Sequence, residues 1–501
     1  MFIGSYKKLL KFKYLDLSIL SVFFVIGFLL RIHNIDKNLF FGPEQGRDLL
    51  VVKDIVVNHK LVLIGSKTDI DGIFHGPLFY YLMVLPFILS KGNPVFISLF
   101  LIFVNCLSVY FIYILGRELF DRKAGIIAAA ILTFSFGSIV MSRWFSNPPL
   151  IIPISCLFFL FLARFLKGNK YYLIPSALLF AISGQFDFIN FLIFGICVLL
   201  IIIFYRKQFL KTPFWILVTS ISLLILGSIA NFVLFDLRHN FLITNSVISL
   251  LTKSKGFYGT FLTALNSSAQ NFIKIYSDVI FPSQPLLASL IFLSSLFSLF
   301  MYFKKYTNGV KILCVWLASP FLIFVLLKYN SLYHYFGAVI VAIIILTSAF
   351  IVRLFYFNKF VGGIFLFFII VINLVAFSVN LPQNKNVFFE STQPDLKYSD
   401  QLAVIKEIYK EANGEPFYFQ SYTIPYWQQQ GWEYLFWYFG KNTYSYIPEN
   451  KKTKNLFVII QNDPNNQIYQ NNWLKNTVSG WGTKESEFKY GALKVEKLKV
   501  K

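Results

Sequence analysis

The sequence predicts an α-helical polytopic membrane protein, N-terminus inside and C-terminus outside, that ends in a small extracytoplasmic α/β domain. Three observations carry this. The chain is 56% hydrophobic and 14% charged over 501 residues, more apolar surface than its polar residues could cover in water. Apolar runs able to cross a hydrocarbon layer, roughly 17–25 residues with their flanks, recur along most of its length. After Asn380 those runs stop and a polar tail begins.

The elements follow in order. Lys7, Lys8, Lys11 and Lys13 precede a first apolar core, Leu17–Leu30. Arg31 and His33 close it without a small-residue cleavage site, so it reads as an uncleaved anchor. Further cores lie at Pro94–Leu115, Ala124–Val140, Pro149–Leu162, Tyr171–Ser183, Phe188–Phe204 and Pro213–Phe235, then at Leu286–Phe303, Ile312–Leu327, Phe336–Val352 and Phe360–Val379. That makes about eleven crossings, with Tyr171–Ser183 the shortest. Cys106, Cys156, Cys197 and Cys314 fall inside these segments without metal-ligand spacing and read as small buried hydrophobes.

Short cytoplasmic loops carry Lys and Arg. With the N-terminal lysines inside, alternate loops hold Arg117/Arg122/Lys123, Arg164/Lys167/Lys170, Arg206/Lys207/Lys211, Lys304/Lys305/Lys311 and Arg353/Lys359. Every one is basic. The net charge of +22 therefore sits largely in short loops and the tail, which argues against a nucleic-acid partner and for membrane lipids. Facing outward are the first loop (residues 31–93), Ser142–Pro148, Gly184–Asp187, Asp236–Pro285, Lys328–Tyr335 and the tail. Pro77–Leu89 is apolar but must stay outside for the count to close, so it is expected to be an interfacial helix, and Asp48–Lys60 a second.

The chain thus divides into a transmembrane domain, 1–383, and a soluble domain, 384–501. The latter has strand-like runs at Phe417–Tyr422, Leu456–Gln461 and Lys489–Lys497 and helix-like runs at Gln401–Glu411 and Tyr434–Gly440.

Chemistry is expected on the outer face, where ionisable residues from distant segments collect: Glu44, Arg47, Asp48, Lys67, Asp69, Asp71, His75, Asp187, Asp236, Arg238, His239 and His334. Charge so close to a bilayer is costly unless it meets water, a partner or a substrate. Carboxylates, histidines and arginines around one outer cavity suit general-base work on a substrate with an anionic group.

At these residues the chain resembles the GT-C superfamily of integral membrane glycosyltransferases, particularly bacterial relatives of protein O-mannosyltransferases and lipid A aminoarabinose transferases. The resemblance rests on Gly42-Pro43-Glu44-Gln45-Gly46-Arg47-Asp48 after the first span, His75-Gly76-Pro77-Leu78-Phe79-Tyr80-Tyr81, the basic turn Gly116-Arg117-Glu118-Leu119-Phe120 and Ser142-Arg143. It implies inverting transfer of a sugar from a polyprenyl-phosphate donor to a protein, lipid or cell-envelope glycan acceptor at the outer face of the cell membrane. It also implies that Glu44 is the catalytic base. The family's acidic pair is Pro43-Glu44 here, so Asp48 is the second catalytic candidate. Arg47, Lys67, His75, Asp187, Arg238, His239 and His334 are the substrate-binding candidates. No cofactor is required, with a divalent cation near Glu44, Asp69 and Asp71 as an option.

Plainer roles stay open: pairing of Glu44 with Arg47, helix-start stabilisation by Asp48, snorkelling by Arg238, and an aromatic belt around His334. A glycan ligase or polymerase and a lipid-linked sugar flippase are the competing functions. A flippase is expected to carry ionisable residues midway through its spans, and here they gather at the span ends.

Overall fold

Helix is the open-chain structure that satisfies every backbone polar group in lipid, and it accounts for most of this computed structural model, which describes residues 2–68, 71–253, 259–381, 396–426 and 428–500. Among these residues nine helices are long and apolar enough to cross a membrane, or ten if one bent pair counts as a span. The bent pair, Arg122–Phe134 and Phe136–Arg143, turns by 60° where the sequence predicts one straight crossing. Polar side chains satisfy the backbone at the break. Asn373 Oδ1 accepts from Phe136 N at 2.8 Å, and Ser135 Oγ donates to Val279 O at 2.8 Å.

The remaining predicted crossing, Tyr171–Ser183, forms as the helix Leu173–Phe186. At 14 residues it is about 21 Å long, short of a hydrocarbon core of roughly 30 Å. It still runs from one end of the bundle to the other. Tyr172, just before it, takes a bond from Arg164 at 3.1 Å, and near its far end Gln185 donates to Asn231 at 2.9 Å.

Aromatic packing fills the centre. The Phe159 ring stacks on Trp316 with centroids 3.6 Å apart, and Phe158 stacks on Phe194 at 4.6 Å. Trp316 Nε1, which cannot be left unpaired in an apolar core, donates to Ala338 O at 3.0 Å. Leu226, Phe297, Phe357 and Phe367 stay exposed around the bundle, as lipid-facing side chains should. Cys106, Cys156 and Cys197 are buried, but Cys314 is exposed, on the outside of its helix.

Asp236–Pro285 is not the loop that was expected. It contains helices Leu242–Lys253 and Phe261–Ile280. Ala264, Ser268, Phe272, Ile275 and Val279 are all buried, a helical spacing hidden by the polar residues between them.

The loops sort into two groups at opposite ends. At one end the basic turns meet: Glu118 pairs with Arg164 at 3.3 Å and Lys167 at 2.7 Å, Tyr205 donates to Asn308 at 2.7 Å, and Lys123 lies 4.4 Å over the Tyr356 ring. At the other end the Glu44 loop meets the remaining connections: Gln45 donates to Phe145 O at 3.0 Å and Asn231 to Leu63 O at 3.0 Å. The predicted interfacial helices form there as Pro43–Val57 and Leu78–Ser90.

The tail folds on the Glu44 end as a four-stranded mixed sheet. Strands β1 (Phe417–Tyr422), β2 (Asn455–Gln461), β3 (Thr483–Tyr490) and β4 (Leu493–Lys499) take the order β1-β2-β4-β3. β1 and β2 are parallel and the other pairs antiparallel. The run Lys489–Lys497, predicted as one strand, is a hairpin that turns at Gly491, whose φ of 55° suits glycine. Alternation in β2 sends Phe457 and Ile459 toward the helices Tyr398–Ala412 and Gln430–Phe439, while Leu456, Val458 and Ile460 pack with Trp473 on the other face.

The sheet domain is seated on the bundle by specific contacts. Gln401 Nε2 donates to Phe41 O at 3.0 Å and Tyr434 Oη to Gly92 O at 2.5 Å. A Cβ at Gly46 would lie 2.3 Å from the carbonyl oxygen of Gln430. The first turns of the Pro43–Val57 and Gln430–Phe439 helices therefore meet backbone to backbone.

Candidate active site

Glu44 occupies the first turn of the Pro43–Val57 helix, where a carboxylate is favoured by the helix dipole. The turn itself is held rigidly. Pro43 sits at the helix start, and buried Gln45 accepts from Gly42 N at 3.0 Å through Oε1 while its Nε2 reaches Phe145 O. Pro43 and Gln45 on either side are buried, whereas Glu44 is exposed.

One turn further on, Arg47 Nε and Nη2 each approach Asp48 Oδ1 at 2.9 Å, and Tyr80 Oη donates to the same oxygen at 3.2 Å. Asp48 is 2% exposed, while the Arg47 side chain is 37% exposed. Burial raises the Asp48 carboxyl above its ordinary value even with Arg47 and Tyr80 against it. Burial pulls the Arg47 guanidinium down, but Asp48 beside it prevails and its pKa is raised. The negative charge of Glu44 adds to that rise. Arg47 thus lies between a buried carboxylate that fixes it and an exposed one that it faces.

The other predicted residues are more dispersed. Lys67 pairs with Asp71 at 2.6 Å, both well exposed, on a small hairpin closed by a Lys67–Phe74 bridge. Asp69 lies outside the described residues. His75 is half-buried, and its backbone bonds to Gly65 N and Ser66 O at 2.7 and 2.8 Å. Asp187 is a helix cap, taking Ile189 N at 2.9 Å and Asn190 Nδ2 at 2.6 Å. Asp236 does the same for the next helix, accepting from Ile243 N and Thr244 N at 2.7 and 2.9 Å.

Arg238 is exposed. The His239 ring stacks on Phe235 at 3.9 Å, and Phe235 lies 5.7 Å from Phe74 of the first loop. His334 packs edge-on against Trp144 at 6.3 Å. Glu44, Arg47 and Asp48 form one group, and the rest are distributed around the same end of the bundle.

Three further features mark this end of the bundle. Buried Arg143 donates to Arg31 O at 2.6 Å and His33 O at 2.9 Å, closing the end of the first span. Buried Arg31 in turn donates to Leu132 O at 2.9 Å. Asp278 accepts from Tyr333 Oη at 2.6 Å beside a cavity of about 550 Å³ lined by Gln270, Lys274 and Asp278. The signal for Asp278 was present, as a lone acid closing a periodic helix, but that helix had been read as loop. A second cavity, about 840 Å³, is lined by Phe297, Tyr302, Arg353 and Tyr356 and belongs to the basic end.

Among the described residues no three His, Cys, Asp or Glu side chains converge as metal ligands would.

Residues 74–230 match the family described as dolichyl-phosphate-mannose-protein mannosyltransferase. The match includes His75 and Asp187 and begins after Glu44. No curated protein sequence matches the chain. Two solved structures are similar in fold over nearly the whole chain. ArnT from Cupriavidus metallidurans in the apo state aligns with a TM-score of 0.62 at 11% identity, over 97% of this chain and 98% of its own. The same protein bound to undecaprenyl phosphate aligns with a TM-score of 0.60 at 11% identity, over 96% and 97%. The expected resemblance to GT-C enzymes is borne out, and the chain is a multi-pass membrane glycosyltransferase.

Proposed function

We propose that this membrane glycosyltransferase moves a sugar, with inversion, from a polyprenyl-phosphate donor to an acceptor hydroxyl at the Glu44 end of the bundle. That end lies outside the cell membrane, as the basic turns gathered at the opposite end support. The undecaprenyl phosphate held by the ArnT of similar fold supports the donor class.

The observation that carries the reading is the contrast between Glu44 and its neighbours: an exposed carboxylate on a helix turn locked by Pro43 and Gln45, facing a guanidinium that Asp48 holds in place. Glu44 removes the acceptor hydroxyl proton as its oxygen bonds to the anomeric carbon, a contribution of about 10²–10⁴ in rate. The bond from that carbon to the phosphate oxygen breaks in the same displacement, and the polyprenyl phosphate leaves with the electron pair. Arg47 is placed to stabilise the charge that develops on it. Asp48, buried and already bonded twice, is a positioning residue for Arg47 rather than a second base.

The test uses purified full-length protein in nanodiscs with a panel of radiolabelled polyprenyl-phosphate sugars. Transfer or slow donor hydrolysis by the native chain, lost in Glu44→Gln with folding intact, is the expected result. Equal turnover by both proteins would remove Glu44 from the base role.

A further inference from the structure

The larger of the two cavities lies away from the candidate active site, at the basic end of the bundle. Its volume of about 840 Å³ falls within the roughly 300–1,000 Å³ of small-ligand sites. Two helices wall it, Pro285–Tyr302 and Ile340–Phe357. Tyr302 Oη donates to Ala349 O at 3.3 Å and ties the two walls together. Along the first wall Ser294, Ser298 and Tyr302 recur at every fourth position, and the small serines leave the space that larger side chains would fill. The rim faces the hydrocarbon, with Phe297 70% and Phe357 85% exposed.

Arg353 is the one charged side chain in this lining. It stands about one turn before the last residue of its helix and is half-buried. Among the described residues it has neither a salt bridge nor a hydrogen bond. Reaching for water ordinarily accounts for an arginine near a span end. That account leaves the cavity beside this guanidinium unexplained.

The charge around the cavity is mainly of one sign. Lys123 lies 4.4 Å over the ring of Tyr356, which lines it. Lys305 lies 4.9 Å over Tyr306, whose ring is 5.6 Å from that of Tyr302. The neighbouring acid, Asp121, is already engaged: it accepts from Ala124 N at 2.9 Å as a helix cap and from Tyr306 Oη at 3.4 Å. Three cations thus gather around one apolar cavity, an arrangement that draws anions.

We propose that this cavity binds an anionic phospholipid from the leaflet at the basic end. The planar fork of Arg353 takes two oxygens of the phosphodiester, and the acyl chains run out past Phe297 and Phe357. A lipid fits better than a soluble anion because its chains cover apolar walls that already face the bilayer. A negative headgroup fits better than a zwitterionic one because the lining holds no acid to take an ammonium group, and Asp121 beside it is occupied. Basic pockets between membrane spans hold anionic headgroups on the same physical grounds. The inference uses neither Glu44 nor the transferase reading.

The experiment is native mass spectrometry beside a thermal-shift assay on the full chain, freed of lipid in detergent. The probes are dioleoyl phosphatidylglycerol, dioleoyl phosphatidylcholine and soluble glycerol 3-phosphate. Phosphatidylglycerol is expected to bind about tenfold more tightly than either of the others and to raise the melting temperature as it binds. Arg353→Gln should abolish the preference. Ser294→Trp fills the cavity from an exposed position without changing the charge, and should weaken phosphatidylglycerol by about tenfold. Arg206→Gln removes the same charge from another exposed site at the basic end and should leave binding unchanged. Equal affinity for the two lipids, indifference to Ser294→Trp, or an Arg206→Gln loss as large as that of Arg353→Gln overturns the inference. Glycerol 3-phosphate binding as tightly as phosphatidylglycerol also overturns it, by showing a site for soluble anions. Should Arg353→Gln fail to fold, the lipid preference of the native chain and the Ser294→Trp result decide.

Discussion

The two ends of the helix bundle use charge in opposite ways. At the basic end, charged groups tie one connection to another: Glu118 to Arg164 and Lys167, and Asp16 of the first span to Arg122 and Tyr113. The cationic partners of these pairs are half-exposed, 28% for Arg164, 48% for Lys167 and 39% for Arg122, and a partly solvated ion pair contributes little to stability. At the Glu44 end, cations are immobilised before any partner arrives. Arg47 is fixed by a buried carboxylate and Arg143 by backbone carbonyls, and a separate domain is seated above them. One end uses charge to orient the chain in the bilayer. The other, on the function proposed above, holds it ready for a reaction, which is what electrostatic preorganisation requires.

The comparison can be broken most directly by equivalent changes at the two ends. Glu44→Gln should lower transfer by about 10²–10⁴ with unchanged melting, whereas Glu118→Gln should leave turnover within about twofold, since its partners Arg164 and Lys167 lie at the opposite end from the candidate site. Radiolabelled transfer beside a thermal-shift assay reads both. If Glu118→Gln proves as damaging, the division between the ends fails.

Next in size is the seat of the sheet domain. Gly46→Ala puts a methyl 2.3 Å from a backbone carbonyl that has no flexible side chain to yield. Forced backbone shifts cost about 1–3 kcal/mol, so limited proteolysis should release the C-terminal domain from the variant sooner than from the native chain.

Asp48→Asn should cost roughly 1–3 kcal/mol by weakening the hydrogen bonds that hold Arg47, with a larger effect on kcat than on KM. Its pH signature sharpens the assignment. Burial raises the folded-state pKa of Asp48 above the ordinary 3.8, so the native state takes up the proton first. This group's contribution to stability therefore increases as pH falls through the folded value toward 3.8, and decreases as pH rises through the same window. Melting of native and Asp48→Asn protein across that range should show the dependence in the native chain only. The smallest effect is expected for Lys67→Ala. Its salt bridge is exposed, and the change should fall within about 0.5 kcal/mol with transfer unaltered.

Much of the site was legible as a set of residues but not as an arrangement. Glu44, Arg47 and Asp48 stand together in the chain, so one helix turn was enough to predict their proximity. Asp187 and Asp236 also stood out as acids at span ends, yet both are consumed by the backbone N–H groups of the helices that follow them. Nothing local distinguishes a carboxylate that caps a helix from one that meets a substrate.

The chain by itself determined that this is a membrane protein, which turns gather at the basic end, and that a polar segment with strands follows the last span, its predicted start at residue 384 lying outside the described residues. Those properties follow from hydropathy and charge, which act residue by residue and add along the sequence. The tertiary structure decided that Phe261–Ile280 is a buried helix, that Asp48 is enclosed while Glu44 is open, and that Gly46 receives the sheet domain. Burial and contact belong to pairs of residues as far apart as Gly46 and Gln430, and no reading confined to neighbours in the chain contains them.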